Sequence, residues 1–518
     1  MGGVPGCAVL TALVFAALGC ADELPAHSND STRAALDGTQ AQSDAYWRAN
    51  DDRSFPARLD YENGLGVVST INIAGATPTL GHPFFTALGT NGRACMSCHQ
   101  PADGMSLSTK TLNALWSAEG TRAPVFAAVD GSNCPNLPQE NIDSHSLLLR
   151  YGLFRIPRAW PPLAADGTAL APEFDVAVVR DPTGCNTDPN YGVDARQISV
   201  YRRPRPATNL PYVTAIGFAF DPKNGLPLAI DAESGKPMSG NVLSDVRAGT
   251  LEAQARDALA SHAEFRGQLD AAELQKIIAF ERGLFTAQSS HVTAGSLSDA
   301  GAQGGPEALG QFPTGVLQST SAPIWSEFFP WKDLPAPADG TVDPRREFRV
   351  SVARGAALFA KRTFLVTDSA GITDTGFGNP VRNGCAFCHN MQHVGLDVAP
   401  GQVDLGTTNY PHTQHAISNP GAELPLFRLT CHAGARPHPH LGRVVYTHDP
   451  GYALTTGRCI DIGKITAQPM RGLAARAPYF SNGSAKTLRE VVDFYNERYA
   501  IEFTDEEKQD LTNFLEVL

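Results

Sequence analysis

The chain has 518 residues, 18% charged and 42% hydrophobic, enough for a packed core and about three units of ~150 residues. Its net charge is −12 and it carries no basic tract, which argues against nucleic acid and anionic membrane surfaces as partners.

From the N-terminus, Cys7 to Leu18 is the one long apolar run. A bilayer span needs ~20 residues, so this run reads as the core of an export signal over residues 1–20. Ala17-Leu18-Gly19-Cys20 resembles a bacterial lipobox, in which Cys20 is lipidated and tethers the chain to a membrane, although residues 1–19 contain no Lys or Arg. The expected location is the bacterial periplasm or cell envelope. Residues 21–45 are polar and read as a flexible tether, and folded sequence is expected from Tyr46.

A first unit is expected over 46–330. It contains Cys95-Met96-Ser97-Cys98-His99, approached by a turn at Gly89-Thr90-Asn91-Gly92-Arg93. Residues 100–249 read as loop with short helices or strands, and His145 there reads as a hydrogen-bonded histidine rather than a metal ligand. Thr250 to Phe285 is helical in character, with a capping box at Asp270-Ala271-Ala272-Glu273 and Leu274, Ile277 and Ile278 on one face. A linker over 331–345 centres on Leu334-Pro335-Ala336-Pro337-Ala338-Asp339-Gly340.

A second unit is expected over 346–518. It opens with a helix from Arg346 to Phe364 and contains Cys385-Ala386-Phe387-Cys388-His389. His432, His438 and His440 lack the spacing of a metal site. Capping boxes at Thr487-Leu488-Arg489-Glu490 and Thr504-Asp505-Glu506-Glu507 open two final helices. The halves repeat one plan, which implies two cytochrome c-like domains in a mainly α fold with long irregular loops.

In C-x-x-C-H, two thiols add across the vinyl groups of one haem and the adjacent His becomes the iron's proximal ligand. Two such runs imply two covalently bound haem c groups, on Cys95, Cys98 and His99 and on Cys385, Cys388 and His389. Four further cysteines suit an oxidising compartment, with Cys134–Cys185 and Cys431–Cys459 the favoured of three pairings. What fills each sixth position decides between electron transfer and catalysis. Tyr495, seven residues after Leu488, is a candidate for the second iron, with Met470 its competitor. Gln254 and Glu264 could orient and deprotonate peroxide at the first. Ten residues of straight helix put them on different faces, so a break near Ser261 is required, and pattern alone favours a solvated pair.

These motifs resemble the bacterial dihaem cytochrome c peroxidases and, more closely, the MauG-like dihaem enzymes. The C-terminal run from Met470-Arg471-Gly472-Leu473 through Ala477-Pro478-Tyr479-Phe480 to Gly483 is similar to the family's signature, and continues into Thr487-Leu488 and Tyr495-Asn496. The resemblance covers roughly residues 80 to 518. It implies that Tyr495 ligates the second iron and that Glu264 and Gln254 are the active-site acid/base and orienting amide. It further implies hydrogen peroxide as substrate, a small redox protein donor or a protein substrate as partner, and a structural Ca²⁺ whose ligands have no match here. Two departures stand out. Phe220-Asp221-Pro222 stands where the family has Trp-Asp-Gly between the haems, and Ser481 where a His is common. The expectation is an exported peroxidase-like dihaem oxidoreductase. The alternative is a dihaem electron carrier without turnover of its own.

Overall fold

A computed structural model describes residues 46–164, 167–215, 238–314, 324–398, 401–409 and 420–518. The export segment, Cys20, the tether and Phe220-Asp221-Pro222 lie outside the described residues. The fold is mixed rather than mainly α: 31% of it is helix and 18% strand. The strands are short and scattered, and several depend on a distant partner for their backbone hydrogen bonds, so the stretches around the helices read as loop in one dimension.

Two strands, β1 (Arg58–Asn63) and β2 (Gly66–Asn72), form an antiparallel hairpin. The helices α1 (Thr109–Glu119) and α2 (Ser146–Tyr151) follow, then β3 (Phe154–Ala159), β4 (Phe174–Arg180) and β5 (Gln197–Arg202). Two helices, α3 (Leu251–Ser261) and α4 (Ala271–Gly283), lead into β6 (Leu284–His291). The latter half contains α5 (Pro344–Lys361), β7 (Leu426–Cys431), β8 (Val444–Thr447), α6 (Leu488–Arg498) and α7 (Asp505–Glu516).

The strand β6 pairs with β2, adding to the hairpin, with Val68 opposite Gln288 and Ile71 opposite Phe285. The strands β3 and β5 pair with each other. The strand β7 lies between β8 and β4, with Leu429 facing Val176. That sheet joins residues ~250 positions apart, so the two halves share backbone hydrogen bonds.

The helix ends follow the sequence closely. Thr250, Asp270, Thr487 and Thr504 each accept a hydrogen bond from the backbone N–H three residues on. Only Thr504 and Glu507 complete a reciprocal box, because Glu490 accepts from the Lys486 N–H and Glu273 pairs with Lys276. The helix α3 stops at Ser261, and the helical character foreseen to Phe285 ends at Gly283, where β6 begins.

Packing crosses the linker region. Trp325, Phe328 and Trp331 are buried with α5 and α7 in one core, while Met391, Val394 and Leu396 are buried with α3 and α4 in the other. The helices α5 and α7 cross at Gly355, where a Cβ would stand 2.0 Å from the Asp510 carbonyl oxygen, so only glycine allows that approach. Cys134 pairs with Cys185 and Cys431 with Cys459, at Cα separations of 5.3 and 5.9 Å. Among the described residues no helix is long and apolar enough to cross a membrane.

Candidate functional site

Each C-x-x-C-H run forms one tight turn at the wall of its own cavity. The His99 N–H donates to the Cys95 carbonyl at 3.2 Å and the His389 N–H to the Cys385 carbonyl at 3.1 Å. In both, the ring Nδ1 meets the carbonyl six residues on: Met105 at 3.1 Å and Gly395 at 2.6 Å. That bond fixes Nδ1 as the protonated nitrogen and leaves Nε2 as a free donor, the arrangement a metal-bound imidazole needs. Burial holds His99 down to about 4 and also lowers His389, so both rings are neutral. The four cysteines of the two runs are unpaired, and burial pushes their thiols up, Cys98 to about 11 and Cys385 and Cys388 to about 12.

The first cavity holds about 1410 Å³ and the second about 1690 Å³ of empty space, part of each open to solvent. Between them runs a buried cationic strip. Arg203 and Pro204 line both cavities, Arg205 the first and Arg476 the second. These guanidiniums donate to neutral oxygens: Arg203 to the Leu107 and Arg476 carbonyls, and Arg205 to Thr466, Asn241 and Ala467. Burial and the charge of Arg476 bring Arg203 down to about 10 and Arg205 to about 9. Cations largely withdrawn from water, with no direct ion pair among the described residues, are costly, and they suit the carboxylates of a porphyrin. Two free thiols, an imidazole with a free Nε2 lone pair, a largely apolar cavity and arginines at its wall together fit haem c at both places.

One helix face in each cavity wall corresponds step for step with the other. On α3 the lining residues are Leu251, Gln254, Ala255 and Ala258, and on α6 they are Leu488, Val491, Val492 and Tyr495. Both sets follow the i, i+3, i+4, i+7 spacing of a single face. Tyr495 therefore stands in the second cavity where Ala258 stands in the first. Burial, with the neighbouring Tyr499 and thiols, raises the Tyr495 phenol well above its ordinary value, so without a Lewis acid it stays protonated. Met470 also lines the second cavity, but its sulfur packs against Gly395, whose carbonyl holds His389. That places it on the His389 side.

Gln254 is in the wall of the first cavity; Glu264 is not. Glu264 follows the end of α3 in a left-handed backbone conformation with φ 55, held by the Phe265 N–H on the Leu259 carbonyl at 3.0 Å. The wall instead contains His262 and Glu281, neither singled out by the sequence reading. His262 is eight residues after Gln254, one further step along the same helical stripe, and that spacing was the available signal. Glu281 is buried, its Oε2 has no hydrogen-bond partner, and burial pushes its carboxyl up to about 8.

His145 lines neither cavity, and its ring nitrogens meet the Gly131 and Gln139 carbonyls. His438 and His440 pack edge to face with ring centroids 6.2 Å apart while His432 lies at Asp175, and among the described residues no three His, Cys, Asp or Glu side chains are arranged to hold a metal ion. Ser481 is buried at the wall of the second cavity.

No family model matches the sequence. The cytochrome-c peroxidase IdrP2 of Denitromonas iodatirespirans is 31% identical over 148 residues, 26% of this chain and 36% of that protein. The cytochrome-c peroxidase IdrP1 of the same organism is 30% identical over 151 residues, with the same coverage of 26% and 36%. The chain thus spans about a third of the length of these relatives. A solved structure of a MauG-like protein associated with microbial copper homeostasis aligns with 60% of this chain and 80% of its own, at 19% identity and a TM-score of 0.25.

Proposed function

We propose that the chain, similar in part to cytochrome-c peroxidases, is a dihaem peroxidase or MauG-like protein: an exported oxidoreductase that reduces hydrogen peroxide at its first cavity. The observation that carries this is the Ala258–Tyr495 difference at corresponding steps of the two cavity-lining helices. Haem held by His99 and by His389 would supply, respectively, the iron chemistry toward peroxide and a store for electrons from a small redox protein or a protein substrate.

The chain's own contributions are distinct. Ala258 leaves room for a small substrate, and Gln254 in the same wall offers an amide to orient it. Glu264 is the acid/base group that the resemblance implies; its left-handed backbone, unusual for a residue with a Cβ, marks a position held against local preference. The Tyr495 oxygen would be a ligand to the second iron and would bar substrate from it. Arg203, Arg205 and Arg476 would hold the carboxylates of both groups. The proposed location is the periplasm or cell envelope, with lipidation at Cys20 as a tether. A Ca²⁺ site is left without a ligand set.

Electron paramagnetic resonance of the diferric protein, followed by stopped-flow mixing with peroxide, tests the reading. One high-spin centre that reacts and one low-spin centre that does not are expected. Two low-spin, inert centres would make the protein an electron carrier.

A further inference from the structure

The wall of the first cavity contains an oriented histidine. The His262 Nδ1 lies 2.5 Å from Asp130 Oδ2. Asp130 is buried, and its other oxygen is paired with Arg93. Arg93 is fixed in turn, with Nε on the Pro124 carbonyl at 2.7 Å, Nη2 on the Val125 carbonyl at 2.6 Å and Nη1 on the His262 carbonyl at 3.1 Å. Asn91 donates to the same His262 carbonyl at 2.8 Å. The histidine is therefore gripped at both backbone and ring. Burial opposes ionisation of Asp130, yet Arg93 and His262 outweigh it and keep the carboxyl below its ordinary value. An ionised Asp130 accepts the Nδ1 proton and leaves the His262 Nε2 lone pair free.

Position on the helix sets the ring at the reaction space: His262 continues the stripe Leu251, Ala255, Ala258 and itself lines the cavity. The ring is 34% exposed, so water and peroxide can reach it. In the second cavity the matching step is Tyr499, whose hydroxyl is hydrogen-bonded to Ser369 at 2.8 Å. The histidine thus belongs to the first cavity alone.

We propose that His262 is a further catalytic residue, a general base and then acid for peroxide, oriented by the buried Asp130–Arg93 pair. The proposal rests on the peroxidase reading above. His262 Nε2 takes one proton from the bound peroxide and returns it to the departing oxygen as the O–O bond breaks. A reduced one-electron redox protein, oxidised twice, supplies two electrons, and two further protons enter from solvent. One peroxide thereby leaves as two waters. Glu264, two residues on, can share this duty, so the two losses need not add.

The test is stopped-flow reaction of the purified dihaem protein with hydrogen peroxide, comparing wild type, His262→Gln and His262→Ala with and without added imidazole. An acid–base role of typical size predicts a ~10²-fold or greater fall in the second-order rate for both variants, an unchanged ferric spin state, and partial recovery of His262→Ala with imidazole. A rate within about threefold of wild type, or no recovery with imidazole, overturns the assignment. Conversion of the first haem from low- to high-spin in either variant would make His262 an iron ligand and overturn it too. An inert wild-type protein would instead remove the peroxidase reading itself.

Discussion

Ala258 and Tyr495 occupy the same step of two helices that line the two cavities with the same spacing, a methyl group in one and a phenol in the other. Placing a phenol in the first cavity by Ala258→Tyr should slow its reaction with peroxide at least tenfold, ~1.4 kcal/mol in the barrier, and bring it toward the low-spin spectrum of its neighbour. Tyr495→Phe should alter the low-spin signal of the second haem; an unchanged spectrum would reduce Tyr495 to packing. Glu264→Gln should lower peroxide turnover by ~10²-fold if the residue supplies an ordinary acid–base contribution. Glu281 gives a pH signature. Its carboxyl stands at about 8 in the fold against 4.5 as the ordinary value, because burial disfavours its charge. A raised carboxyl pKa means the folded state holds the extra proton. The resulting stability is full below the ordinary value and is lost as pH rises through about 8. Thermal unfolding from pH 5 to 9 should show this loss, on the order of a few kcal/mol, and Glu281→Gln should flatten it.

The helices were the legible elements. Thr250, Asp270, Thr487 and Thr504 are hydroxyl or carboxylate caps ahead of apolar stripes, and each cap forms in the structure. The strands were not legible to a reading anchored on caps and thiols, although β7 alternates in its buried and exposed positions from Phe427 to Cys431. Its partners are β4 and β8, one of them far away in sequence, and local pattern does not say which distant stretch will meet it. At the site, both thiol–imidazole runs could be read from spacing alone. His262 could not, because its importance comes from Asp130, 132 residues away. The cross-links act at this scale as well. Cys134–Cys185 closes a loop of 51 residues, which a chain-entropy model values at about 4 kcal/mol. Replacing both cysteines with serine should lower the melting temperature accordingly, and reductant should do the same to wild type.

Across the whole molecule the two halves are fastened by charge as well as by sheet. Arg202 on β5 donates to Asp449 in the latter half at 2.6 and 2.8 Å, and to Asp245 at 2.6 Å. Asp245 also receives Arg247 at 2.9 Å, and its carboxyl is fully buried. Burial disfavours its charge, but the surrounding arginines overcome this and hold it well below the usual carboxylate range. Asp449→Ala would leave Arg202 partly unpaired in the interior and should cost about 3–5 kcal/mol in chemical denaturation. The same substitution made at an exposed carboxylate such as Asp505 should cost less than about 1 kcal/mol.

The arginine strip has a consequence for maturation. Arg203 belongs to both cavity walls, and Arg476 repels both Arg203 and Arg205. Before any prosthetic group is attached, the polypeptide must gather these like charges out of water. Each group that arrives brings carboxylates to the shared strip, so the first to attach eases entry of the second. Singly loaded chains should therefore be scarce. Intact-mass spectra of protein made under limiting haem supply should show bare and doubly loaded chains in excess of the singly loaded form, and Arg203→Gln should bring the three species nearer to a random distribution.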